Sequence, residues 1–135
     1  LRAAEAFGAG GVVLTPGTAS PYAPKAFRAS AGSALRVAVV KNVLSTDAVA
    51  WSREIGATLA GADAHDGEDP DALRGVSPVV LAVGSEGHGL SAPVVSALDR
   101  RVRIPVSPRV ESLNAAVAAG ILLYALSPKT SARKR

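Results

Sequence analysis

The chain has 135 residues, 48% of them apolar, which is enough for one domain with a sizeable core and too little for two stable ones. It has no Cys and two isolated His, which leaves no support for disulfides, thiolate nucleophiles or a bound metal and agrees with a cytoplasmic setting. The net charge of +4 hides two basic ends, with five Lys/Arg against Glu5 in residues 1–41 and eight against Glu111 in residues 100–135, and that distribution favours a polyanion such as nucleic acid as partner over a neutral small molecule.

In chain order, residues 2–7 read as the last turns of an Ala-rich helix stopped by Gly8 and Gly10. A short buried strand is expected over 11–14, then a turn-rich loop over 15–21. A helix over 22–31 is opened by Pro24 and closed by Gly32, and a second strand follows over 35–40. An amphipathic helix over 47–55, capped by Ser45 or Thr46, offers Val49, Trp51 and Ile55 as core contacts. Residues 58–60 form a weak third strand. The acidic segment 63–75 reads as an exposed excursion with one helical turn at 71–74.

The clearest strand spans 79–83, and another is expected over 102–106. Residues 112–126 form an apolar helix capped by Ser112, whose face at Ala116, Ala119, Gly120 and Leu123 carries so little bulk that another backbone can approach it. The basic tail 127–135 is expected to lack fixed structure. No apolar run approaches the roughly 20 residues that span a bilayer, so no membrane association is expected. Unbroken apolar strands alternating with helices imply an α/β fold, a parallel sheet with helices on both faces, and such sheets bind ligands beyond the carboxyl ends of their strands. The loops beginning at Gly84 and Ser107 satisfy that rule.

Two stretches stand out at those loops, together with Arg2 on the first helix. Gly84-Ser85-Glu86-Gly87-His88-Gly89 places three glycines after the strongest strand, where backbone can approach a ligand closely. It is neither a Walker loop, since no Lys follows, nor a dinucleotide fingerprint, since its spacing is Gly-x-x-Gly-x-Gly. Ile104-Pro105, followed by Glu111-Ser112-Leu113-Asn114, leads into the N-terminus of the last helix, where free N–H donors gather. His88, between two glycines, reads as an exposed loop residue, and Trp51 as core rather than a base-stacking platform.

Taken in order, these stretches resemble the SpoU (TrmH) family of RNA ribose 2'-O-methyltransferases in the SPOUT superfamily, over nearly the whole chain. Residues 2–9 are similar to the end of the family's first motif, 25–32 to the segment before its next strand, 81–90 to its second motif, and Ile104-Pro105 with Glu111-Ser112-Leu113-Asn114 to its third. The resemblance implies a methyltransferase domain over 1–126 with a C-terminal deep trefoil knot, S-adenosyl-L-methionine as cofactor, rRNA or tRNA as substrate, and a homodimer whose active site draws on both subunits. By the same resemblance Gly84, Gly87, Ile104, Ser112 and Leu113 would hold the cofactor, and Arg2, Glu86 and Asn114 would be the catalytic positions.

Glu86 also has a reading as an acceptor of backbone N–H bonds within its own loop. The family's first motif opens with an Asn and a Gly upstream of the arginine, so that strand and loop are expected to lie outside this sequence. Val106 and Pro108 stand where Met and Gly are usual. A non-catalytic RNA-binding relative that keeps the knotted fold is the alternative reading.

Overall fold

A computed structural model describes residues 1–127. Five short helices and five strands alternate along it: α1 (Arg2–Ala6), β1 (Val12–Leu14), α2 (Pro24–Ala29), β2 (Val39–Lys41), α3 (Ser45–Glu54), β3 (Thr58–Ala62), β4 (Val79–Ala82), α4 (Ala92–Ala97), β5 (Arg100–Val102) and α5 (Ala115–Leu126). Turns of 3-10 helix at Ser33–Leu35 and Pro70–Leu73 complete the order. All strand pairing is parallel. β1 pairs with β2, and β3 lies between β4 and β5 in a separate three-stranded sheet.

Period-two alternation along β3 explains why this sheet carries helices on both faces. Ala60 belongs to a buried cluster with Leu73, Val102 and Leu122, the last contributed by α5. Its neighbour Gly61 faces the other way, where an added Cβ would lie 2.6 Å from Leu98 and 2.9 Å from Leu90 at the two ends of α4. Across that second face, Arg53 of α3 holds Asp99 at 2.6 and 2.7 Å, and Asp99 also accepts the Leu59 N–H at 2.8 Å, which fixes α3 against the start of β5. None of the helices among the described residues is long and apolar enough to cross a membrane.

Several elements depart from the sequence expectation. The fifth strand is Arg100–Val102 rather than 102–106, its pairing ending at Ala62 opposite Val102. Pro105 has no N–H to extend a ladder, and Ile104 packs against the core cluster instead. The last helix starts at Ala115, and its cap is Asn114, not Ser112. In α3 no side chain makes a cap bond, and Trp51 and Ile55 are 45% and 42% exposed. The inward stripe of that helix is Ser45, Ala48, Val49 and Ser52, small residues that let it lie close; Ser52 is fully buried, its hydroxyl satisfied by the Val49 carbonyl at 2.7 Å. The acidic segment is not wholly exposed either, since Pro70 and Leu73 are buried and Leu73 sits in the central cluster. Of the tail expected over 127–135, only Ser127 falls within the described residues.

Candidate active site

A cavity of about 720 Å³ opens at the carboxyl ends of β3, β4 and β5, where the strand-end rule puts a ligand. Its walls come from three loops: the one after β3, the Gly-rich one after β4, and the connection from β5 to α5. The Gly-rich loop folds back on itself. Ser85 N–H donates to the Gly89 carbonyl at 3.1 Å, and Gly89 N–H returns the bond at 2.9 Å. Gly89 reverses the chain at φ +64, and the Ser85 hydroxyl accepts the His88 N–H at 3.2 Å. Gly84 is required by crowding, because a Cβ there would stand 2.5 Å from the Gly89 oxygen and the Leu90 nitrogen.

Opposite this loop, Asn114 uses both ends of its amide. Its Oδ1 accepts the N–H groups of Ala116 at 3.0 Å and Val117 at 3.3 Å, capping α5, while its Nδ2 donates to Glu86 Oε1. That bond bridges the Gly-rich loop to the helix start and leaves one Nδ2 hydrogen and one Glu86 oxygen available to a ligand. Glu86 is thus held by Asn114, not by backbone N–H groups of its own loop. Gly84, Glu86, Ile104, Ser112, Leu113 and Asn114 all line the cavity. Gly87 lies in the same loop but not in the wall, and His88 is exposed as expected.

Arg2 is not among the lining residues of its own chain. It sits exposed at the start of α1, a helix that packs on α5 with Ala3 beside Gly120 and Phe7 edge-on to Tyr124 at 5.5 Å. The closeness expected at Gly120 is real but loose, since a Cβ there would meet Ala3 at an ordinary 3.8 Å.

Sequence reasoning missed the third wall, made by Asp63, His65 and Arg101. The Asp63 carboxyl is held below its usual range by the His65 backbone N–H, against the opposing effect of burial, with help from the Asp66 N–H and Arg101. The bonds are 2.9, 3.1 and 3.0 Å long. The available signal was position: Asp63 follows directly after β3, at the same sheet end as Gly84, but β3 read as weak and its loop as solvent-exposed.

The family model for the SpoU rRNA methylase family matches residues 1–124. An uncharacterized tRNA/rRNA methyltransferase of Archaeoglobus fulgidus is 39% identical over 127 residues, which is 94% of this chain and 56% of that protein. One from Mycolicibacterium vanbaalenii is 38% identical over 123 residues, 91% of this chain and 39% of its own length, so the chain spans about half or less of these relatives. Among solved structures, an AdoMet-bound rRNA methyltransferase from Sinorhizobium meliloti superposes with a TM-score of 0.84 at 31% identity, over 92% of this chain and 48% of that one. The SpoU methyltransferase AviRb from Streptomyces viridochromogenes, in complex with AdoMet, gives 0.81 at 34% identity, over 92% of this chain and 51% of that one. With a family match over almost all the described residues and the same parallel α/β architecture, the chain belongs to the SpoU rRNA methylase family.

Proposed function

We propose that residues 1–126 form the catalytic domain of an S-adenosyl-L-methionine-dependent RNA methyltransferase that modifies a ribose 2'-hydroxyl of rRNA or tRNA in the cytoplasm. The observation that carries this reading is the cavity itself, a polar and apolar pocket at the carboxyl ends of three parallel strands, lined by the stretches that resemble the family's second and third motifs. Its chemistry fits the cofactor. Gly84 lets the Gly-rich loop close tightly on itself in the cavity wall, Ile104 and Leu113 offer apolar surface for an adenine, and the carboxylates of Glu86 and Glu111 suit a ligand carrying positive charge. When bound, the cofactor supplies an electrophilic methyl group on a sulfonium.

The chain's own residues have alignment as their main task, since holding the hydroxyl oxygen in line with that methyl group supplies much of the acceleration. Asn114 fixes Glu86 through its Nδ2 and presents its remaining N–H to the pocket. A guanidinium is too weak an acid to give up its proton and serve as a base at neutral pH, so Arg2 acts as an orienter of phosphate and hydroxyl.

The same reading includes the deep trefoil knot in the C-terminal segment and a homodimer. Two observations support the dimer. Val117, Ile121 and Tyr124 leave an apolar strip of α5 52%, 40% and 69% exposed, and Arg2, on the helix packed beside it, stands outside its own cavity where a partner's cavity could receive it. Isothermal titration with S-adenosylmethionine and its demethylated product, alongside Leu113→Arg, tests the site. Saturable binding that the variant abolishes is expected; absence of binding in folded wild-type protein would overturn the cofactor assignment and favour a non-catalytic RNA-binding role.

A further inference from the structure

The loop after β1 ends in Tyr22, which is 47% exposed, and the Lys41 Nζ stands 5.1 Å from the centroid of its ring. The loop that carries the ring is anchored, with Pro21 buried and the Ala23 N–H donating to the Ser20 carbonyl at 3.2 Å. Lys41 is the last residue of β2 and is paired in register with Leu14, the last residue of β1, so ring and cation ride on the carboxyl ends of two neighbouring parallel strands. Arg36, Arg53, Arg74, Arg100 and Arg101 each hold a carboxylate. Among the described residues Lys41 and Lys25, the latter one turn past Tyr22 on α2, have no such partner, nor do Arg2, Arg28, Arg103 and Arg109, but only Lys41 stands over an exposed aromatic ring.

This cluster lies at the same end of the molecule as the cavity. Four residues after Lys41, at most about 14 Å of extended chain, comes Ser45, whose hydroxyl accepts from Ser91 Oγ at 3.0 Å. Ser91 directly follows Leu90, a residue of the cavity wall. A half-exposed aromatic ring with an ammonium over one face, its other face left for a base, matches the repeating unit of a single nucleic-acid strand, with a base to stack and a phosphate to neutralise. Inorganic phosphate would have no use for the ring.

We infer that Tyr22 and Lys41 form a base-stacking and phosphate-binding station for single-stranded RNA flanking the nucleotide presented to the cavity. The inference rests on RNA being the substrate. It is tested by fluorescence anisotropy of the full chain with a short fluorescein-labelled single-stranded RNA of mixed sequence, across a range of salt, with S-adenosylmethionine titration of every variant in parallel. Tyr22→Leu should weaken RNA binding by about 5- to 100-fold, the usual effect of losing one stacked base, while Tyr22→Phe keeps the ring and the affinity. Lys41→Met should reduce the slope of log affinity against log salt by about 0.7, one phosphate contact, and this arm decides the matter if Tyr22→Leu proves misfolded.

Wild-type affinity in Tyr22→Leu and an unchanged slope in Lys41→Met, with cofactor binding intact, would overturn the station and leave the methyltransferase reading standing. Failure of the wild-type chain to bind RNA at any salt would overturn the RNA assignment and the station together.

Discussion

Asn114 caps a helix and tethers the loop across the cavity with one amide, so its replacements separate the two roles. Asn114→Ala removes both and should cost about 1 kcal/mol of stability in urea unfolding, the usual loss for an N-cap, together with cofactor affinity. Asn114→Ser keeps a hydroxyl able to cap α5 but too short to reach Glu86. It is expected to recover most of the stability and little of the affinity; full recovery of affinity in Asn114→Ser would show that the tether to Glu86 is dispensable. The Gly-rich loop and its Glu86 stand out in the sequence because three glycines in six residues follow the strongest strand, at the sheet end where ligands bind, and are followed by a second motif before the last helix. Asp63 does not stand out, because its role depends on a strand end and on Arg101, which lies far along the chain.

Helix α1 spans Arg2–Ala6, too short to persist alone, so contacts must hold it. On one side it rests on α5. On the other, Glu5 accepts from the Ser33 hydroxyl at 2.5 Å and from Arg36 at 2.5 and 2.9 Å. The Arg36 guanidinium, with the Ser33 hydroxyl, holds the Glu5 carboxyl down to about 2 from its usual 4.5, against a small opposing effect of burial. A depressed folded-state value means that this contribution is fully present above about pH 4.5 and is lost as pH falls toward 2. Stability measured against pH should therefore decline through that window in the wild-type chain and less steeply in Glu5→Gln; identical acid limbs would show that the tie contributes nothing.

Elements with strong local signals were readable from the sequence: α1 with its Gly stop, α2 opened by Pro24, β4 with its unbroken apolar run. Boundaries set by tertiary contact were not. β5 takes its register from β3, and α3 turns Trp51 outward because Ala48 and Ser52 pack inward more closely than an indole can.

For the molecule as a whole, an Arg2 that does not line the cavity of its own chain makes subunit complementation decisive. Arg2→Ala and Leu113→Arg should each be inactive in methyl transfer to unmodified ribosomal RNA transcripts. In the proposed homodimer, co-expression would give mixed dimers in which the open cavity of one chain receives the intact arginine of the other, so part of the activity should return. No return of activity in mixed dimers confirmed by sedimentation would place Arg2 in service of its own subunit.

The connection from β5 to α5 has a further consequence. Residues 103–114 form one wall of the cavity, yet the backbone bonds they donate are few: Arg103 N–H to Glu68 O at 3.0 Å and Val110 N–H to Ser107 O at 2.9 Å. A wall without a ladder opens at low free energy, and its amide protons exchange with solvent well before those of β3. A ligand gripped by Ile104, Ser112 and Leu113 supplies the missing restraint. At a hundredfold excess over its dissociation constant it would stabilise the folded chain by about 2.7 kcal/mol, and slowed amide exchange should begin in this segment.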